Sequence, residues 1–298
     1  MFKFIKADIK KFAIFHTIYT ASNIFDRFDW NDRVDDAVDC ITNTDVYFVH
    51  DNQKRIGGFV LKENHLNYPF IVAPFYDRNL FWGKVLEYTV QTSENKEVFL
   101  NEIAEADVEV LVKSYGAVIQ ESKKRMIRPT EQCTYLLNDD FYFDSLTEAD
   151  KKEIINVIYE AHAHNHASTI LKPDITEIET AVERRFVSFS QTNTLYMGNI
   201  VKSKATNKIV GVCIAGIYPS SSIYSTSNFA TIHQVSVRPL YQRKGIAKAM
   251  ILKSINDAKS ASPAMTLGVS QDNPAKYLYS EVGFRAGDSY SELHYKCP

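Results

Sequence analysis

No apolar stretch of this 298-residue sequence reaches the roughly 18 residues that a membrane-spanning helix needs, so no membrane span is expected. The segment from Met1 to Lys6 also lacks the apolar core and the cleavage site of a signal peptide, which makes the cytoplasm the expected location. The formal net charge is only −2. Neither nucleic acid nor an acidic membrane surface is therefore an expected partner.

Cysteine is scarce and scattered in this chain. The four thiols contain no Cys-x-x-Cys pair and do not resemble a disulfide framework. One of them, Cys213, lies within an apolar run and is predicted to be a buried small side chain. Hydrophobic residues make up 45% of the chain and charged residues 23%, as in ordinary globular domains, and the length suits two domains. The cysteines are Cys40, Cys133, Cys213 and Cys297.

The most informative segment is a strand that runs through a glycine-marked turn into a helix. A β-branched run from Ile232 to Val237 ends at Pro239, and the basic loop Gln242–Gly245 follows. Apolar residues then recur at helical spacing as far as Ala258. The free N–H groups of a helix's first turn and the helix dipole attract anions, and a glycine lets backbone approach a ligand closely. The pattern predicts an anion-binding site.

A second motif follows the next strand-like run and extends from Asp272 to Phe284. The two motifs together resemble the signatures of the GNAT superfamily of acyl-CoA N-acyltransferases. The first signature, Val-x-Pro-x-x-(Gln/Arg)-x-x-Gly-x-(Gly/Ala), spans Val237 to Ala247. The second ends in Leu278-Tyr279-x-x-x-Gly283-Phe284. One departure is that the family's asparagine position falls on Asp272, with Asn273 one residue later, so which of the two faces the cofactor stays open.

The resemblance implies that acetyl-CoA is the acyl donor, and no metal is predicted. The donor's pyrophosphate is then expected at the loop from Gln242 to Ala247. Its pantetheine arm is expected along Val235–Val237, where in the family an exposed N–H polarises the thioester carbonyl. The implied cofactor-binding residues are Val235, Ser236, Val237, Gln242, Arg243, Lys244, Gly245, Ile246, Ala247, Asp272 and Asn273.

Two catalytic residues are predicted. Tyr279 matches the family's tyrosine near the sulfur, where a phenol hydroxyl protonates the leaving thiolate as a general acid. The alternative is that Tyr279 only packs its ring against the protein. His233 lies two residues before Val235, and by strand alternation it is predicted to share a face with that residue and to accept the amine proton. The alternative is an ordinary hydrogen-bonded polar residue.

A histidine-rich run from Ala161 to His166 closes a predicted helix. His162 and His166 are four residues apart and share a helix face, as in some zinc sites, but no third ligand is evident. Two other interpretations of the run remain open. It is either an exposed polar helix end or, together with Asn165, a border of the acceptor pocket, and the role of His164 is equally open.

The first half of the chain repeats the pattern of the second. Pro74 and Gly116 are 42 positions apart, Pro239 and Gly283 are 44 apart, and each interval contains a predicted helix, strand and helix. An acidic side chain and bulky residues replace the anion loop in the first copy, which is therefore predicted to bind no CoA. The corresponding pairs are Asp77 with Gln242, Leu80 with Gly245, Trp82 with Ala247 and Val112 with Tyr279.

The predicted fold is α/β (α+β), with two GNAT-like modules that are each a mixed, mostly antiparallel sheet flanked by helices. The boundary is predicted in the charged segment 123–133, followed by a strand over 134–137. This gives a degenerate domain over residues 1–130 and a catalytic domain that binds acetyl-CoA over 131–298. Helices are predicted over 147–166 and 177–188, the second with a capping box formed by Thr176 and Glu179.

The predicted function is transfer of acetyl from acetyl-CoA to an unidentified amine, either a small molecule or a peptide. Two alternatives remain open. One is a non-catalytic acyl-CoA-binding or interaction protein, and the other is a transferase of a different acyl group. The acceptor and the oligomeric state are not predicted from the sequence.

Overall fold

A computed structural model of the chain describes residues 2–20, 38, 41–42, 44–75, 77–93, 96–163, 174–218 and 229–297. The chain divides into two compact units. Unit 1 comprises Met1–Lys124 together with Gly287–Pro298, and unit 2 comprises Arg125–Ala286. In the described ranges, no helix combines the length and the apolar character that crossing a membrane requires.

Unit 1 is a sheet with helices against both faces. Its elements are β1 (Phe2–Lys6), α1 (Ile9–Tyr19), β2 (Asp45–Asp51), β3 (Lys54–Lys62), β4 (His65–Ile71), α2 (Arg78–Thr92), β5 (Glu97–Ala104), α3 (Glu105–Tyr115), the first part of β6 (Val118–Pro129) and most of β12 (Arg285–Lys296). The strand order begins β1-β2-β3-β4-β5-β12. The pair β4–β5 is parallel, and the other pairs of known register are antiparallel.

Two apolar clusters hold unit 1 together, one on each face of the sheet. The larger cluster includes Trp82 and Leu86 of α2 and Leu111 of α3, all nearly inaccessible to solvent. The smaller cluster packs Phe12 of α1 against strand residues such as Phe70. Burial of these large side chains supplies the main stabilising free energy of the unit.

Unit 2 repeats the same arrangement. Its elements are the last part of β6, β7 (Phe141–Asp144), α4 (Lys151–Ala163), α5 (Ile175–Gln191), β8 (Asn199–Ser203), β9 (Ile209–Gly216), β10 (Ala230–Val237), α6 (Ile246–Ala258), β11 (Ala264–Ser270) and α7 (Ala275–Glu281). The strand order is β7-β8-β9-β10-β11-β6. Only β10–β11 is parallel among the pairs of known register. The predicted fold class is confirmed, because both units are mixed, mostly antiparallel sheets flanked by helices.

The division of the chain differs from the predicted contiguous one at both ends. Residues 125–130 belong to unit 2, and residues 287–298 belong to unit 1 rather than to the second domain. The backbone of β12 pairs with β5 from Glu97 to Ala104, and its Leu293 is buried in the larger cluster of unit 1. The charged segment around Lys123 is part of strand β6, and residues 134–137 form no strand. The charged side chains of β6 give no strand-like hydropathy pattern, so the strand was not predicted. Backbone pairing with neighbouring strands defines it instead.

The helix predictions for unit 2 hold with shifted ends. Helix α5 begins two residues earlier than expected, because Asp174 and Glu177 form the capping box in place of Thr176 and Glu179. Helix α4 ends at Ala163, and the rest of the histidine run, including His164 and His166, lies outside the described residues. The Ser-rich connection over 219–227 also lies outside them.

The assignment of β12 to unit 1 predicts where a core truncation acts. Replacing the buried Leu293 by alanine should destabilise unit 1 by about 2–5 kcal/mol, the usual cost of a Leu→Ala cavity. Native-state hydrogen exchange should then show faster exchange of the β5 amides than of the β9 amides. Leu267→Ala, a matched buried leucine of β11, should show the reverse order. If the β9 amides of Leu293→Ala exchange as fast as its β5 amides, the assignment of β12 to unit 1 is contradicted.

Candidate active site

Strands β10 and β11 of unit 2 separate part of the way along their length. They pair only at Ala230–Met265, Thr231–Thr266 and Ile232–Leu267, although β10 continues to Val237 and β11 to Ser270. A hydrogen bond of 2.9 Å between the Thr231 and Thr266 hydroxyls links the strands just before the separation. Beyond it, no residue of β10 pairs with β11, so the β10–β11 ladder does not use the backbone groups on that side.

A β-bulge in β10 lies at the same point. Ile232 pairs with Ala215 and Gln234 pairs with Ile214 of β9, which leaves His233 as the extra residue. The bulge reverses the alternation, so Ile232 and Val235 pack into the same cluster beside α6. The expectation that His233 shares a face with Val235 and Val237 is therefore wrong.

The side chain of His233 points to the other face of the sheet. Its Nδ1 lies 3.2 Å from the hydroxyl of Tyr218, and Tyr218 belongs to the cluster that α4 and α5 form with the sheet. The ring of Tyr218 in turn packs against Phe189 of α5, with 4.9 Å between the ring centroids. Tyr218 follows β9 without any motif around it, so this contact has no signal in the sequence.

The loop after β10 has the backbone geometry of an anion-binding turn. Gly245 precedes α6 with φ +78°, and Arg243 also has a positive φ of +62°. A Cβ added to Gly245 would meet no atom within 4 Å, so it would project into the open space in front of the helix. Residues 242–245 are all exposed. The first-turn N–H groups of α6 therefore point toward accessible space.

The charges at this loop are positive. Neither Arg243 nor Lys244 has an ion-pair partner within the described part of the chain, and Lys244 lies over the ring of Tyr241 at 5.5 Å. Lys248 of α6 pairs with Glu281 of α7 at 2.6 Å. The side chain of Gln242 donates to the carbonyl of Val237 at 3.0 Å, so Gln242 holds the loop to the end of β10.

Helix α7 places Tyr279 beside this core. The half-buried Tyr279 packs against the α6-side cluster and meets Phe284 edge to face at 6.1 Å. Burial, with a smaller contribution from Cys213, raises the pKa of the Tyr279 phenol. Tyr279 therefore keeps its proton throughout the neutral range.

The start and the end of α7 are each held by one side chain. The Asn273 side-chain oxygen accepts a 2.9 Å hydrogen bond from the Ala275 N–H and closes the turn into the helix, whereas Asp272 is exposed. At the other end, the buried guanidinium of Arg128 donates to the carbonyl of Val282 and pairs with Glu131 at 2.6 Å. Arg128 was missed in the sequence because it lies far from both motifs.

A buried polar cluster lies on the α6 side of the sheet. The Sγ atom of Cys213 is 3.3 Å from the Ser254 hydroxyl, which also accepts a 2.9 Å hydrogen bond from Asn199. Burial raises the pKa of Cys213 to about 12, so this thiol stays protonated. The prediction of a buried Cys213 is confirmed.

The corresponding place in unit 1 is filled by protein atoms. The Asp77 carboxylate accepts a 2.9 Å hydrogen bond from the Leu80 N–H at the start of α2. Trp82 is fully buried, and its indole donates to Asp107 at 3.0 Å. A carboxylate already occupies the helix start, so a second anion there meets repulsion.

The remaining candidate, His162, is half-buried at the end of α4, and burial lowers the pKa of its imidazole. Among the described residues, no group of three or more His, Cys, Asp or Glu side chains has the arrangement of a metal site.

Comparison with known proteins identifies the part of the chain that carries this site. Residues 158–284 match the model of the acetyltransferase (GNAT) family. No curated protein matched the sequence. A solved GCN5-related N-acetyltransferase from Sphaerobacter thermophilus is similar in fold, with a TM-score of 0.69 and 13% identity over 98% of this chain and 95% of that one.

Two further solved structures share the fold along the whole chain. A tandem GNAT protein from the clavulanic acid biosynthesis pathway has a TM-score of 0.61 and 10% identity, over 99% of this chain and 98% of its own. A GNAT-family acetyltransferase from Colwellia psychrerythraea has a TM-score of 0.56 and 12% identity, over 99% and 100%. At these identities, the similarity establishes the fold.

Proposed function

We propose that this chain, whose residues 158–284 are an acetyltransferase domain of the GNAT family, transfers acetyl from acetyl-CoA to an amine. The single observation that carries the proposal is the combination, in unit 2, of a parted strand pair and an open glycine turn before α6. One binds an extended arm and the other binds an anion, as acetyl-CoA requires.

The donor binds in two places in this proposal. The pyrophosphate lies at the turn formed by Arg243, Lys244 and Gly245, where the first-turn N–H groups of α6 donate to it. The pantetheine arm follows β10 between Val235 and Val237, on the side where β11 has moved away. A backbone N–H on that side stabilises the negative charge that develops on the thioester oxygen.

Two side chains move the protons. The amine nitrogen attacks the thioester carbonyl carbon, the carbon–sulfur bond breaks, and the thiolate leaves. Tyr279 gives its proton to the thiolate, and the raised pKa of its phenol ensures that the proton is present. His233, oriented by the Tyr218 hydroxyl, accepts the proton that the amine loses.

The proposal assigns this chemistry to unit 2 alone. The Asp77 carboxylate and the buried Trp82 occupy the corresponding helix start of unit 1. Unit 1 is therefore a non-catalytic copy in this account. Competition between acetyl-CoA and longer acyl-CoAs, together with a thiol-release screen over an amine panel, tests the acyl group and the acceptor class.

The anchor is tested by a matched pair of glycine substitutions. Gly245→Trp should weaken acetyl-CoA binding at least about tenfold, because its side chain enters the space in front of α6. Gly116→Trp is the control, since Gly116 has a similar φ of +71° and equally open surroundings in unit 1. Both variants carry about 1–2 kcal/mol of backbone strain. Isothermal titration measures the acetyl-CoA affinity of both variants and of the wild type. Equal affinity of the wild type and Gly245→Trp would contradict the proposal.

The general acid is tested by removing one oxygen atom. Tyr279→Phe keeps the ring's packing, so acetyl-CoA affinity should change little while turnover falls by roughly 10²-fold. Tyr277→Phe, on the same helix but 71% exposed, should keep the wild-type rate. If Tyr279→Phe also turns over at the wild-type rate on a good acceptor, then Tyr279 only packs.

The general base is tested by the pH dependence of the rate. His233→Ala should lose most activity near neutral pH and recover part of it as the pH rises, because the amine then deprotonates unaided. Tyr218→Phe should show a weaker version of the same profile, since it removes only the hydrogen bond to His233. A His233→Ala profile that scales down without changing shape means that the histidine is structural.

A further inference from the structure

An arginine in unit 1 carries a charge that no carboxylate of the described residues neutralises. Arg55 lies near the start of β3, and its guanidinium stacks over Phe48 at 3.7 Å and over Phe15 of α1 at 4.3 Å. Its Nε atom is buried and has no hydrogen-bond partner. No ion pair of Arg55 occurs in the described part of the chain. The centroids of these two rings are only 5.5 Å apart, so the rings do not enclose the guanidinium from opposite sides and leave N–H groups of Arg55 to recognise a ligand.

A second unpartnered nitrogen lies directly opposite. His50 of β2 is the cross-strand partner of Arg55, and its Nδ1 is also buried without a hydrogen-bond partner. Burial and the charge of Arg55 lower the pKa of His50, so the imidazole is neutral at neutral pH. Burying two polar nitrogens without partners is costly, and two of them side by side indicate that something else supplies the acceptor.

Among the described residues, the acidic side chains near Arg55 and His50 do not fill this role. Helix α1, which covers this face, contains no Asp or Glu between Ile9 and Tyr19. Asp51 follows His50 on the opposite face of the strand, and its carboxylate accepts a 3.2 Å hydrogen bond from Asn52.

In unit 2, by contrast, the chain itself neutralises an arginine, Arg238, that follows β10 and lies beside the start of β9. The Nε of Arg238 donates to the Ile209 carbonyl at 2.7 Å. Its guanidinium pairs with Glu160 of α4 and approaches Glu153 of the same helix at 3.7 Å. Helix α1, the counterpart of α4 in unit 1, offers Arg55 no such carboxylate.

We propose that Arg55 and His50 form a binding site for a carboxylate group of a small organic acid. The N–H edge of Arg55 binds the two carboxylate oxygens side by side, and His50 donates the third hydrogen bond. A carboxylate matches this site better than a phosphate dianion does, because the site provides one positive charge in a half-buried setting. The site is separate from the acyl-transfer chemistry and does not depend on it.

Titration of the wild-type protein with sodium acetate tests the site, with sodium chloride and inorganic phosphate as comparisons at constant ionic strength. The signals to follow by NMR are the Arg55 Nε–H and the His50 ring protons. Acetate should shift both with a saturable curve, chloride should shift neither, and phosphate should bind more weakly than acetate. If acetate shifts neither signal, as expected for chloride, or if phosphate binds more tightly than acetate, the proposal is overturned.

Two substitutions complete the test. Arg55→Gln keeps most of the side chain's length and removes its charge, so acetate binding, read from the His50 ring, should weaken at least about tenfold. Arg184→Gln, an exposed arginine of α5 in unit 2, is the matched control and should leave acetate binding unchanged. Unchanged binding in Arg55→Gln contradicts the assignment, and the wild-type titration decides the matter if that variant does not fold.

Discussion

The parting of β10 from β11 is the constraint on which the candidate site depends. Once the two strands stop pairing after Ile232 and Leu267, the peptide groups of β10 on that side need another partner. The bulge at His233 and the turn at Gly245 lie on either side of this unpaired segment. The bulge directs the His233 ring to the opposite face, and the turn leaves open space in front of α6.

Unit 1 has a comparably short parallel strand pair, but its own side chains satisfy the helix start that follows. Its strands β4 and β5 also pair over only two residues, His65 with Phe99 and Leu66 with Leu100. Here Asp77 caps the helix and Trp82 fills the interior, so the start of α2 is satisfied by the chain itself. In the proposed function, one backbone plan is thus open to an anion in one copy and closed in the other, and a few side chains make the difference.

The local sequence was sufficient to predict most of the helices and strands, and with them the repeat. The apolar spacing after Gly245 gave α6, and the capping chemistry around Asp174 lies within two residues of the predicted box. The failures were at β6 and at His233. Strand β6 carries charged side chains, and a bulge in β10 depends on its pairing with β9, so neither feature has a signal in a single segment.

The sequence by itself determined the family resemblance, the two-copy fold, the turn at Gly245 and the helix that carries Tyr279, because short-range spacing specifies a turn and a helix. The tertiary structure alone decided that His233 faces Tyr218, that Arg128 secures the end of α7, and that the chain's last strand completes unit 1. The physical reason is that these features are contacts between segments far apart in the chain. Backbone pairing and burial select such partners only when the whole sheet forms.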